Sequence, residues 1–469
     1  MTDALFKTIS EIATALDERR LTARDLIEAA IQRHDKWGGQ LKAYSLWAPD
    51  AARATAQAAD AAFAAGTRAG PLQGIPISVK DLFAVAGWPT FAGTPRRLPP
   101  AWEQEGPVIA TVRRQLGVMM GKTHMVEFAF GGTGVNNHYG CPRNPWDAAV
   151  ARSPGGSSSG AGVSLCEGSA LLAFGSDTAG SVRIPASATG NVGLKVTAGR
   201  WSTDGVVPLS RVFDTPGILV RSVADAVYAF GALDPAWTDA RAFERRAGAC
   251  DIGMVRIGLG DPSMWENCAP GIAEAAKQAL DALGRAGAAV KTKAVPEIKE
   301  AVAVFTEGGV SGADLRAFLD LDLPEWIPLV DKINAAIIKA TATLPTSVYL
   351  QRHYRLAKLA KSAAAQLEDV DVIACPTLVI TPPVIEEISD SESHWAANRK
   401  LVRNTVPGNY LGLCSITLPV GRDRAGMPVG LQLTARGGQD ERLLAAAWAA
   451  ERVLGRASER LGTPPLLAT

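Results

Sequence analysis

The chain has 469 residues, enough for one large core or for two or three ordinary domains. Its 48 basic and 47 acidic residues leave a net charge of +1, which gives no electrostatic basis for binding nucleic acid or an anionic membrane. With 47% hydrophobic and 20% charged residues and no apolar run long enough to span a bilayer, the composition is that of a soluble globular protein.

The N-terminal stretch "MTDALFKTISEIATALDERR" lacks an apolar h-region, so no secretory signal is expected. The six cysteines, Cys141, Cys166, Cys250, Cys268, Cys375 and Cys414, are scattered without a CxxC or a neighbouring histidine pair. They read as small core residues in a reducing, cytoplasmic compartment, and no metal or cofactor is expected.

In "LTARDLIEAAIQRHDKW", Thr22 is an N-cap, Asp25 occupies the capping-box position, and Leu26, Ile27, Ala30 and Ile31 form an apolar stripe. The Ala-rich run 50–65 is a second helix ended by Gly66. "GIPISVKDLF" at 74–83 reads as a short strand, and "GVMMGKTHM" as a buried strand after a helix that begins at Pro107. Residues 129–221 are dense in Gly, Ser, Thr, Asn and Pro, yet keep apolar runs such as "SALLAF" that a disordered linker would lack. Farther on, "VRIGLG", "PGIAEAAKQALDALGRAG" and "AVKTKAV" give strand, helix, strand, and helical patterns fill most of 297–368. "DVIACPT" is a strand, "SITLPVG" and "PVGLQLT" form a hairpin about "RDRAG", and a helix runs from about 440 to 455. Alternating strands and helices imply a layered α/β fold with a mixed sheet. With no repeat or clear linker, residues 1–469 read as a single domain, in which 297–368 could cap a pocket.

Two serine-rich stretches, "SPGGSSSG" and "FGSDTAGSVRIPA", pose the chemical question, because none of the five histidines is near them. "GSSSG" matches GxSxG formally, with Ser158 as nucleophile, but no buried strand precedes it and no suitable late histidine follows: His353 lies in a charged helix and His394 in a polar stretch. Taken alone, "GGSSSG" is equally a flexible turn. A lysine base is the third option, and it needs an amine that loses its proton near neutral pH. Lys80, at the end of the apolar run "GIPISV" and before Asp81, has that context, although it could also be a strand-end lysine reaching solvent.

Taken together, "GIPISVKDLF", "SPGGSSSG" and "GSDTAGSVRIPASATGNVGLK" resemble the amidase signature family of serine hydrolases, and Ser157 and Ser181 stand 24 positions apart as in that family. "FGGTGVNNHYGCPRNPWD", "RWSTDGVVPLSRVFDTPGILVRSVADA" and "NYLGLCSITLPVGRDRAGMPVGLQL" extend the resemblance over most of residues 1–232 and 370–455. It implies an amidase signature fold, a large mixed sheet sandwiched by helices (α/β/α), with residues 74–232 as its catalytic core. It further implies a Ser-Ser-Lys triad: Ser181 as nucleophile, Ser157 as a relay on a cis peptide bond, and Lys80 as base. The oxyanion would be held by backbone N–H groups of Thr178, Ala179, Gly180 and Ser181, and Gly131 and Gly132 would face the substrate amide. Asp177 and Arg183 are expected to brace the nucleophile turn as a partly buried pair. The chain departs from the family pattern at Ala179, where glycine is usual, and at Val196 and Cys414, where proline is common. Ala179 is therefore expected to keep a negative φ, and Cys414 to be a packed small residue.

The chemistry implied is acyl transfer from a small amide or carbamate to water, without nucleic-acid or membrane partners, the chain acting alone or as a homo-oligomer. Small, uncharged or aromatic amides are the expected substrates. Carbamate- or urea-type hydrolysis is an alternative. The glutaminase component of a tRNA-dependent amidotransferase is another, but "NRKLVRNTVPGNYLG" offers three basic residues and no acid for an amino acid's ammonium. A catalytically idle scaffold is opposed by the intact Lys80, Ser157 and Ser181. Phe305, Phe318, Trp326 and Ile337 could line an acyl pocket or be core at helical spacing, the latter being favoured.

Overall fold

The apolar runs of the chain meet in one sheet, seen in a computed structural model that describes residues 2–468. Among the described residues it has eleven strands: β1 (Tyr44–Trp47), β2 (Pro76–Lys80), β3 (Val118–Thr123), β4 (Leu172–Asp177), β5 (Val192–Lys195), β6 (Thr215–Val220), β7 (Arg256–Leu259), β8 (Ala289–Thr292), β9 (Val372–Pro376), β10 (Cys414–Arg422) and β11 (Pro428–Ala435). Their order across the sheet is β1-β3-β2-β4-β6-β5-β10-β11-β9-β7-β8. β2 pairs in parallel with β3 and β4, and β7 with β8 and β9, whereas β10 and β11 form an antiparallel hairpin between β5 and β9. The mixed α/β sheet flanked by helices is the architecture expected. β4, β5 and β6 are additions to the strands read from the sequence, and so is β1. It is a four-residue edge strand and only partly buried, so it has no continuous apolar run to betray it.

Local signals explain the helices. Thr22 Oγ1 accepts the Asp25 amide at 3.0 Å and caps helix Ala23–Leu41, whose Leu26, Ile27, Ala30 and Ile31 are buried. The Ala-rich helix Pro49–Ala64 stops before Gly66, which takes φ +75°. Helix Ser159–Glu167 packs on β2 and β4, and a Ser78–Ser164 hydroxyl contact of 2.9 Å joins it to β2. No helix among the described residues is long and apolar enough to cross a membrane.

β2 and β4 are neighbours and run in parallel, so Lys80 and Asp177, their last residues, lie at the same edge of the sheet. The carboxyl ends of parallel strands are where open α/β sheets place their sites, because loops diverge there and leave a crevice.

Candidate active site

Every residue of β2 is buried, and Lys80 is 0% exposed, so it does not reach solvent. Its Nζ donates to Ser157 Oγ at 2.7 Å and to Ser176 Oγ at 2.9 Å. Burial pushes its pKa from 10.5 down to about 7, against the opposing pull of the Asp214 and Asp177 carboxylates. The adjacent Asp81 does not serve Lys80; its carboxylate pairs with buried Lys122 at 3.0 Å.

Ser157 follows a cis Gly156–Ser157 peptide bond. The Gly156 N–H donates to the Gly132 carbonyl at 2.8 Å, and the Ser157 carbonyl accepts the Val126 amide at 3.1 Å. A Cβ on Gly156 would lie 2.6 Å from the Gly134 nitrogen, so only glycine fits. The Ser158 amide donates to the Ser181 carbonyl at 3.3 Å and draws the two serine stretches together. Ser158 itself is fully buried, its hydroxyl aimed at the Ser176 carbonyl at 3.4 Å, which suits a packed residue and not an exposed nucleophile.

Ser181 lies in the turn between β4 and helix Arg183–Ala188. The Asp177 carboxylate closes that turn, accepting the Gly180 amide at 2.7 Å and the Val182 amide at 3.1 Å. Arg183 grips the same carboxylate at 2.9 and 3.1 Å and reaches Gln432 at 2.9 Å and Asn409 at 2.7 Å. The expected brace exists, but it is fully buried, with both side chains 0% exposed. Burial alone would raise the Asp177 pKa; the Arg183 guanidinium holds it down at about 2. Ala179 keeps a negative φ, as expected, and the left-handed step falls on Gly180 at φ +129°.

The expected set of four oxyanion donors is corrected at Gly180. Its N–H is committed to Asp177 and cannot also point at an oxyanion. Among the described residues, the N–H groups of Thr178, Ala179 and Ser181 have no partner within the chain. The Thr178 hydroxyl donates to Asp214, whose carboxyl is pushed up to about 6 by burial, against the hydrogen bonds from Thr178, Ser210 and Leu209.

Ser181, Thr178 and Ala179 line a pocket with a cavity volume of about 60 Å³. Gly131 and Gly132 line the same pocket, and the Gly132 N–H is held by Asn398 Oδ1 at 2.6 Å. Phe130, Leu209, Phe305, Trp395 and Val402 make the remainder largely apolar. Phe305 is thus a pocket residue, whereas Phe318 and Trp326 belong to the core, Phe318 packing edge-on against Trp102 at 5.2 Å. Cys414 is a packed thiol, 0% exposed and pushed up to about 12 by burial. His394 is buried with Nε2 at 3.3 Å from the Thr133 hydroxyl, and His353 stacks on Phe213; neither belongs to the pocket wall.

Ser176, Asp214, Trp395, Asn398 and Thr405, whose hydroxyl donates to the Ala179 carbonyl at 2.6 Å, join the site beyond the residues that the sequence pointed to. Ser176 meets Lys80 Nζ near the end of β4, a contact that no local pattern marks. Trp395, Asn398 and Val402 recur at helical spacing on helix Ser391–Val402, but nothing local says that this stripe faces a pocket.

A family model described as "Amidase" matches residues 25–444. The chain is 43% identical over 464 residues to a 2-amino-5-chloromuconic acid deaminase of Comamonas testosteroni, covering 99% of this chain and 100% of that one. It is 30% identical over 503 residues to the A component of the glutamyl-tRNA(Gln) amidotransferase of Acidothermus cellulolyticus, covering 98% and 97% of the two chains. Among solved structures, one described as a crystal structure of an amidase superposes with a TM-score of 0.85 at 30% identity, over 96% of this chain and 100% of the other. Sequence, fold and site together show that this chain is a hydrolase belonging to the amidase family.

Proposed function

We propose that the protein hydrolyses small uncharged amides through an acyl-enzyme on Ser181, with Ser157 as relay and Lys80 as base. The observation that carries this reading is the fully buried Lys80 amine 2.7 Å from Ser157 Oγ, with the next residue, Ser158, donating its amide to the Ser181 carbonyl at 3.3 Å. In the neutral amine the Lys80 lone pair accepts the Ser157 O–H while an N–H still donates to Ser176. Ser157 then takes the Ser181 proton as Ser181 Oγ attacks the carbonyl carbon. The oxyanion is held by the free N–H groups of Ala179 and Ser181, helped by Thr178. Collapse of the tetrahedral intermediate breaks the C–N bond, and the relay returns the proton to the leaving amine. Water repeats the sequence on the acyl-enzyme.

No residue among those described in the pocket wall is ionisable, which favours an uncharged substrate, since an unpaired buried charge is costly. The same wall offers no carboxylate for an amino acid's ammonium, so the glutaminase reading gains no support. The helices within 297–368 supply Phe305 and Ser311 to the wall, which supports a capping role for that region.

A second reading is favoured by the relative at 43% identity: release of ammonia from an unsaturated amino acid such as the 2-amino-5-chloromuconic acid of its name, or its unchlorinated form. Ammonia release from a panel of aliphatic and aromatic amides, carbamates, glutamine and 2-aminomuconic acid decides between them. Turnover of neutral amides, abolished together with fluorophosphonate labelling in Ser181→Ala while circular dichroism is unchanged, is the expected result. Turnover of aminomuconic acid alone would establish the second reading instead.

A further inference from the structure

We infer that Asn398 is a specificity-determining residue, whose side-chain amide donates to a hydrogen-bond acceptor carried by the substrate beyond its scissile amide. This rests on the reading of the pocket as the amide site. Asn398 projects from helix Ser391–Val402 and is only 4% exposed. Its Oδ1 accepts the Gly132 N–H at 2.6 Å, which fixes the amide orientation and leaves both Nδ2 hydrogens for another partner. No hydrogen bond from Nδ2 exists within the described residues, and Nδ2 is not among the water-inaccessible polar atoms, so it opens onto the pocket that Asn398 lines.

The surroundings make that donor conspicuous. Phe130 and Trp395, with ring centroids 5.6 Å apart, lie beside it, and Phe305 and Leu209 complete an apolar enclosure. The other side-chain hydroxyls of the wall are engaged, Thr178 with Asp214 and Ser311 with Tyr410, apart from the nucleophile itself. A donor left unmatched by a bound apolar group forfeits its hydrogen bonds to water, so the site discriminates against acyl groups lacking an acceptor. Gly132 is held by the same side chain, so the position of this donor is tied to a backbone segment that lines the pocket with Ser181.

Benzamide and its three pyridine isosteres (picolinamide, nicotinamide and isonicotinamide) share one shape and differ in the placement of an acceptor; terephthalamic acid carries an anionic one. We expect at least one acceptor-bearing amide to exceed benzamide by about tenfold in kcat/KM. That ratio should fall to near one in Asn398→Asp, which still accepts the Gly132 N–H but offers no donor. A merely structural role would lower every substrate together and leave the ratio unchanged. Preference for a pyridine identifies a neutral acceptor. Preference for the carboxylate upholds the Asn398 assignment but overturns the uncharged-substrate reading. Ratios within twofold of benzamide in the wild type, or a gain that survives Asn398→Asp, overturn the inference. Ligand-observed NMR titration of Ser181→Ala, with and without Asn398→Asp, reads the same contact without turnover. If the amides are not hydrolysed but the binding preference and its loss persist, the proposed reaction fails and the donor role stands; if neither appears, both fail.

Discussion

Lowering the pH should silence this enzyme through Lys80. An ordinary lysine with a pKa of 10.5 is neutral in about one molecule in 3,000 at pH 7, whereas a value of about 7 leaves about half in the basic form. Burial therefore supplies about a thousandfold more base at neutral pH. The protein's stability bears the opposite effect. The unfolded chain binds the lysine proton up to about pH 10.5 and the folded chain only up to about 7, so stability rises with pH between those limits. Below pH 7 the full penalty applies, about 5 kcal/mol at about 1.4 kcal/mol per pH unit. Measured as kcat/KM on a neutral amide from pH 5 to 9, activity should fall tenfold per unit below pH 7 and level off above it. Asp214→Asn removes a carboxylate that raises the Lys80 pKa, so the acid limb should move to lower pH. Lys80→Met should lose at least a thousandfold in kcat while gaining stability at pH 6 in urea denaturation. A profile flat down to pH 5.5, a limb moved upward by Asp214→Asn, or a Lys80→Met chain with a tenth of the original rate would refute the reasoning.

Other substitutions test the framework around the relay. Ser157→Ala should lower kcat by about 10²–10⁴ with little change in KM, read from initial rates on the same amide. Gly180→Ala would place a Cβ 2.1 Å from Thr405 Oγ1 at φ +129°, costing about 3 kcal/mol or more and most of the activity, checked by thermal melting and kinetics. Arg183→Met strands the Asp177 carboxylate in a dry site and should cost about 3–5 kcal/mol in urea unfolding at pH 7.

Lys80 and the serine turns are legible in the sequence only when taken together. Alone, a lysine ending an apolar strand could reach solvent and glycines flanking serines could be a flexible turn; it is the order and spacing of the three stretches that resemble the amidase signature. The loss of the Gly180 N–H to Asp177 is not legible, because four backbone amides in a row look equivalent until the carboxylate's direction is known. The pocket walls are less legible still. Phe305 and Phe318 have the same chemistry and similar helical settings, yet one meets the pocket and the other meets Trp102 and Phe128. That difference lies in how helices pack, which no short window encodes. Asn398 carries no local mark at all, since its role depends on Gly132, 266 residues earlier in the chain.

The β10–β11 hairpin bears on how the protein comes into being. It is the last pair of strands in the chain, yet it sits inside the sheet between β5 and β9. A nascent chain therefore holds two sheet fragments, β1 to β6 and β7 to β9, each with an open edge, until residues near 435 emerge. Such edges invite pairing with other chains, so synthesis passes through an aggregation-exposed stage that ends when the hairpin inserts. Gln432 of β11 also holds the arginine that braces the nucleophile turn. Closure of the sheet and assembly of the nucleophile's scaffold are thus one event, and the chain should acquire hydrolytic competence only when its final strand is in place.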